Sequence, residues 1–390
     1  MSGVLAQAVL AAVRTALPEA GTPVPLHAPE FRGREWDYLK DCLDTGWVSS
    51  VGAYVDRIER DLAEFTGVAR AVAVVNGTAA LDVCLRLAGV EPGDEVLLPA
   101  LTFIATANAV TYRGATPHFV DSETATLGVD PVRLGAYLDR IAEIRGGVCH
   151  NRTTGAPIRA LMVMHVFGHP ADVDGLAEVA NRWNLVLVED AAEALGSRWR
   201  GRHVGGFGRL AALSFNGNKV VTTGGGGAVL TDDPDLARRA KHLTTTAKTP
   251  HRWAFDHDEI GWNYRMPNLN AALGCAQLEQ LPGLLARKAR LAERYEAAFA
   301  DLEGARLLRP REGAKVNHWL NALILGAPDR ARRDEILTVL NDAGYQARPL
   351  WTLMHRLPMY ARCPRDDLAV AEALEASVIN LPSSAALADR

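Results

Sequence analysis

Ala71-Val72-Ala73-Val74-Val75-Asn76-Gly77-Thr78-Ala79-Ala80-Leu81 joins a short apolar run, a glycine turn and the opening of a helix. The helix goes on with Val83, Cys84, Leu85 and Leu87 on its apolar side. An unbroken apolar run marks a strand covered on both faces, since a half-wet strand alternates. The theme returns at Val96-Leu97-Leu98, Pro117-His118-Phe119-Val120, Leu161-Met162-Val163-Met164 and Leu185-Val186-Leu187-Val188, several with helical segments between. Strands alternating with helices to about residue 230 predict an α/β fold with a mainly parallel sheet between helix layers. Ligands of such sheets gather beyond the carboxyl ends of the strands. The residues directly after each strand are therefore the candidates for chemistry.

From about 265 the pattern changes to long helices, Met266–Leu281 and Leu284–Leu302. An apolar run at Trp319–Leu325 and a helix at Asp329–Ala343 then predict a smaller α+β domain. The expected division is a segment 1–55 packing at the cleft, a large domain 56–265, and connecting helices with a small domain in 266–390. A chain of 390 residues has ample core for this without disulfide or metal staples.

The 42 Lys plus Arg against 46 Asp plus Glu leave a formal net charge of −4, which argues against a nucleic-acid stripe or an anionic-membrane surface. With 48% hydrophobic and 23% charged residues, wholesale disorder is excluded. Five scattered cysteines without a C-x-x-C pair suggest neither a disulfide framework nor a zinc site, and fit a reducing compartment. The run Val4–Val13 lacks a basic stretch before it and meets Arg14 early, so it reads as a docking helix rather than a secretory leader. The expectation is a soluble, cytoplasmic enzyme.

Three motifs follow strands. At Gly77-Thr78-Ala79 the free N–H groups of a helix start favour a phosphate, the alternative being a turn capped by Thr78. At Leu187-Val188-Glu189-Asp190-Ala191-Ala192-Glu193, Asp190 ends an apolar strand and should face a cation, because a buried lone carboxylate is costly. Glu193 either reaches the same pocket or lies on a wet helix face. In Ser214-Phe215-Asn216-Gly217-Asn218-Lys219, Lys219 is flanked by small polar residues. It is either a solvated loop lysine or an amine for Schiff-base chemistry. A nucleotide P-loop is excluded, because the run Gly224-Gly225-Gly226-Gly227 follows the lysine instead of preceding it. The pair His165 and His169 has no third ligand in view, so no metal is expected.

The order Gly77-Thr78-Ala79, Phe103, Asp190, Ser214, Lys219, together with Gly261-Trp262-Asn263-Tyr264-Arg265-Met266-Pro267, resembles the DegT/DnrJ/StrS-type sugar aminotransferases. The likeness spans nearly the whole chain and is greatest to the LegC-like branch, which aminates C4 of UDP-linked 4-keto-6-deoxy-N-acetylhexosamines. It implies the aspartate-aminotransferase fold, fold type I, and pyridoxal 5'-phosphate (PLP), passing through pyridoxamine 5'-phosphate. By this resemblance Lys219 forms the Schiff base, Asp190 pairs with the pyridine nitrogen, and Thr78, the Ala79 amide and Ser214 hold the phosphate beside Gly77. Phe103 would stack on the ring, and Asn263 would serve the neighbouring subunit of a homodimer. Glu193 departs from the glutamine common in the family.

The reaction implied is ping-pong: glutamate yields its amine to the cofactor, and a nucleotide-linked keto sugar accepts it. Other acceptors, GDP- or dTDP-linked or 3-keto, remain open, as does a non-catalytic binding protein on the same fold. For the sugar nucleotide the candidates are Arg265, whose planar fork suits a diphosphate, with His355, Trp47 and Ser50 beside it. Each also has a structural alternative, as an ion pair, a satisfied polar group or core.

Overall fold

The computed structural model describes residues 2–18, 21 and 23–389. Its centre is a seven-stranded sheet built from β1 (Arg70–Val74), β2 (Glu95–Pro99), β3 (Thr116–Val120), β4 (Ile158–Met164), β5 (Val186–Asp190), β6 (Leu210–Ser214) and β7 (Gly227–Thr231). The strand order is β1-β7-β6-β5-β4-β2-β3. All pairings from β6 through to β3 are parallel, and only β7 runs against its two neighbours. Helices including Gly77–Leu87, Ile104–Tyr112 and Val173–Arg182 cover the two faces, which keeps the strands apolar throughout. The fold is the mainly parallel α/β arrangement that the alternation predicts.

The strand β7 was not expected, and the glycine run explains it. A Cβ on Gly227 would lie 2.6 Å from the backbone carbonyl carbon and oxygen of Asn76. Without a side chain, β7 slides in beside β1 and the turn that follows it. The run Ala228-Val229-Leu230 is apolar, but the dense glycines before it mask the strand start in the sequence.

The two long helices expected after residue 265 are one helix, Asn268–Ala298, of 31 residues with Pro282 inside it. Proline removes one helical hydrogen bond and crowds the preceding turn. Here Leu281 and Leu284 are buried on either side of it, so tertiary packing carries the helix across the weak rung. Its beginning packs against the helices Glu35–Thr45 and Ala53–Thr66. Its far end, through Leu291 and Tyr295, joins a second core with Ala6, Val9 and Val13 of the helix Ser2–Ala16.

That second core belongs to a smaller antiparallel sheet, β8 (Ala305–Leu307), β9 (Asn321–Leu325), β10 (Arg348–Pro349) and β11 (Val378–Leu381), in the order β8-β9-β11-β10. The helix Arg330–Asp342 supplies Ile336 and Leu340 to it. Among the described residues no helix is long and apolar enough to cross a membrane.

Candidate active site

A cavity of about 390 Å³ opens at the carboxyl ends of the parallel strands. Gly77 and Thr78 enter it after β1, Phe103 after β2, Asp190 and Glu193 from the end of β5, and Ser214 and Lys219 after β6. The small domain closes the far side with Trp319 and Trp351.

The helix Gly77–Leu87 is capped by Asn76, whose side chain accepts from the Ala79 N–H at 2.8 Å. Thr78 is therefore not the cap, and the Ala79 amide is already engaged. The first-turn amides of Gly77 and Thr78 still have no partner within the helix, and they lie at the positive end of its dipole. Gly77 is needed for the approach: a Cβ there would stand 2.8 Å from Ser214 Cβ. The Ser214 hydroxyl is thereby held against the helix start, a ready seat for phosphate oxygens.

Asp190 is buried, accepting from the Thr106 hydroxyl at 2.8 Å and the Ala192 N–H at 3.2 Å. Burial raises its pKa, and those two donors only partly offset the cost. Among the described residues it forms no ion pair, so the cationic partner expected from the sequence is not a protein side chain. A protonated heterocyclic nitrogen is the group that fits such a carboxylate.

The neighbouring Glu189 points to the opposite face, as strand alternation requires. It accepts from the amides of Gly205, Phe207 and Gly208 and pairs with His165 Nε2 at 2.9 Å. The other ring nitrogen of His165 accepts the Ala171 N–H at 3.1 Å. Burial pushes His169 down to about 3. The His165–His169 spacing thus reflects packing of the loop after β4.

Glu193 is buried at the foot of the cavity. Its Oε2 accepts the N–H of Phe167, a residue held at φ 55°. Its Oε1 lies 3.2 Å from Lys219 Nζ, which also stands 3.9 Å over the Trp319 ring. Burial lifts the Glu193 carboxyl to about 7, against the opposing pull of Lys219. The solvated-face reading of Glu193 and the surface-loop reading of Lys219 are both overturned by this contact. Phe103, 48% exposed, forms a side wall with its ring edge toward Trp351.

The remaining expected residues lie elsewhere. Asn263 is exposed and accepts from Arg265 Nε at 3.0 Å, outside the cavity. His355 is turned to Glu372, 3.2 Å away, while Trp47 and Ser50 sit on the N-terminal segment away from the cavity walls. Sequence reasoning missed Thr106, Trp319 and Trp351. Thr106 is one small residue inside a helix, Trp319 merely opens an apolar run, and nothing local aims Trp351 at the cavity.

An amine, a buried unpaired carboxylate, a phosphate seat and an aromatic wall at one end of this sheet suit PLP, and they define a transaminase of fold type I. The chain belongs to the DegT/DnrJ/EryC1/StrS aminotransferase family, whose sequence model matches residues 29–390. It is 39% identical over 368 residues to the GDP-perosamine synthase of Caulobacter vibrioides, covering 94% of each chain. The GDP-perosamine synthase of Escherichia coli O157:H7 is 37% identical over the same share of both chains. The crystal structure of S. venezuelae DesV superposes with a TM-score of 0.80 at 32% identity, covering 91% of this chain and 90% of that one.

Proposed function

We propose that this transaminase moves the amino group of glutamate to C4 of a GDP-linked 4-keto-6-deoxy sugar. The observation that carries the reaction type is Lys219 Nζ beside Glu193 at one end of a cavity whose other walls hold Asp190 and the Gly77–Ser214 phosphate seat. The names of the two relatives support the GDP-linked acceptor over the UDP-linked N-acetyl sugar that the LegC-like likeness suggests.

In this reading Lys219 would hold the cofactor covalently, Asp190 would pair with its ring nitrogen, and Gly77, Thr78 and Ser214 would hold its phosphate. When bound there, PLP would supply an electron sink for the pair left on the amino-acid carbon. Once the amino donor has displaced it from the cofactor, the freed Lys219 Nζ would take the proton from that carbon and deliver it again as general acid/base. The Glu193 carboxyl orients the amine and exchanges a proton with it. Trp319 and Trp351 exclude water from the amine.

The working unit is a homodimer. Supporting it, Trp36, Leu43, Trp47 and Val51 form an exposed apolar stretch, and Asn263 points outward with Arg265 bonded to it. Across such a seam Asn263 would meet the partner's cofactor phosphate, and Arg265 the diphosphate of the sugar nucleotide. The test is a panel of GDP-, UDP- and dTDP-linked 4-keto sugars with glutamate as donor. Preferred amination of the GDP-linked sugar supports the reading, and equal or better use of a UDP-linked N-acetyl sugar overturns the acceptor.

A further inference from the structure

A second cavity, of about 330 Å³, adjoins the first, and Asn218, Trp319 and Trp351 stand in the walls of both. No Asp or Glu lines it, whereas His27, Gln346, Arg348 and Asn380 do. Arg348 is tethered through Nη1 to Asn341 Oδ1 at 3.2 Å and to the Ala347 carbonyl at 2.9 Å. It forms no ion pair among the described residues.

Two buried polar atoms lining the same cavity have no partner, one an acceptor and one a ring nitrogen. Asn380 is 4% exposed, and its Oδ1 has no partner. Beneath His27 lies the fully buried Lys288, whose Nζ is 3.0 Å from His27 Nε2, 3.2 Å from the Trp319 carbonyl and 2.5 Å from the Ser383 carbonyl. Burial lowers Lys288 to about 7; in its ammonium form it donates to all three, and His27 Nε2 then accepts with the imidazole proton on Nδ1. That Nδ1 is buried without a partner. The unmet donor at His27 Nδ1 costs free energy that an anionic oxygen accepting from it would recover, whereas Asn380 Oδ1 is an acceptor and offers an anion nothing.

We propose that this second cavity binds the side-chain carboxylate of the amino donor and so selects a dicarboxylic amino acid over a neutral one. The inference rests on the transaminase reading of the Lys219 cavity. Asn218 directly precedes Lys219, so a ligand reaching from the shared wall ends beside the reacting amine. One arginine and a short pocket match a single carboxylate on a short stem; a nucleotide diphosphate has more charge and a base to house. Arg348 is the specificity residue, its fork facing the carboxylate with His27 Nδ1 at its side.

The experiment compares holoenzyme with the Arg348→Gln and His27→Ala variants in single-turnover half-reactions with glutamate and with alanine. It also follows calorimetric binding of glutarate, a dicarboxylate that lacks the amine and cannot react. Arg348→Gln should lower the glutamate-over-alanine preference by about 10–100-fold and weaken glutarate by a similar factor. His27→Ala should move both in the same direction. An unchanged preference, an equal loss with both donors, or a loss confined to the sugar half-reaction overturns the proposal. If the unsubstituted holoenzyme converts neither amino acid, the transaminase reading itself fails and takes this one with it.

Discussion

Glu193 Oε1 lies 3.2 Å from Lys219 Nζ at the base of one cavity, the carboxyl almost wholly withdrawn from water and the lysine side chain 14% exposed. The carboxyl is held near 7 by burial, so close to neutrality it is poised between donating and accepting toward the amine. This pair couples the acid–base state of the site to its fold.

The coupling has a stability signature. An exposed glutamate titrates near about 4.3, whereas Glu193 in the folded protein does so at about 7. Between those values the folded state keeps a proton that the unfolded chain has released, so stability falls as pH rises through the window and stays lower above it. Glu193→Gln removes this dependence. Scanning calorimetry of the cofactor-free protein should show wild type losing on the order of a few kcal/mol relative to the variant between about pH 5 and about pH 7.5. Parallel curves for the two proteins would reject the assignment.

Lys219→Ala should abolish the borohydride-sensitive visible absorbance and lower turnover by at least about 10²–10⁴-fold, the range for losing a positioned proton carrier. Refolding is not at issue, since the truncated side chain lies beside open cavity. Full turnover in the variant would remove Lys219 from the mechanism.

Thr106 acts through Asp190. Its hydroxyl donates to Oδ2 at 2.8 Å and is itself 2.7 Å from the Thr102 hydroxyl. Thr106→Val keeps the shape and removes the donor, so PLP affinity should fall about 5–10-fold while Thr106→Ser retains it. Equilibrium titration with PLP measures this. Equal affinity in wild type and the valine variant would show that Asp190 needs no such support.

Gly77→Ala places a methyl 2.8 Å from Ser214 Cβ, which must force the helix start away from β6. Binding of PLP, and of inorganic phosphate to the cofactor-free protein, should weaken by about 10-fold or more as the amide cradle opens. Unaltered phosphate affinity would place the anion elsewhere.

If Asn263 serves the opposite subunit, two inactive variants should rescue each other. Mixed under subunit exchange, Lys219→Ala and Asn263→Ala chains form hybrids with one intact site, and activity should return to roughly a quarter of wild type. No recovery in hybrids verified by mass would confine Asn263 to its own subunit.

The strands of the main sheet from β1 to β5 were legible because burial on both faces demands apolar runs, and each run is local text. Gly77, Asp190 and Lys219 were legible as the residues at or after the ends of such runs, where this fold places its ligands, and Ser214 only through the family resemblance. The glycine-led strand β7, the single helix through Pro282 and the cap by Asn76 were not. Each depends on which distant backbone comes near: Asn76 against Gly227, and buried Leu281 and Leu284 around the proline. The same holds for the closing wall. Trp319 meets Lys219 from 100 positions further on, and Thr106 reaches Asp190 from 84 positions before it. Order and spacing along the chain set the periodicity of elements, because that is a property of neighbouring residues. The protonation of Glu193, the missing cationic partner of Asp190 and the second cavity around His27 and Arg348 arise from burial and proximity, which exist only once the chain has folded.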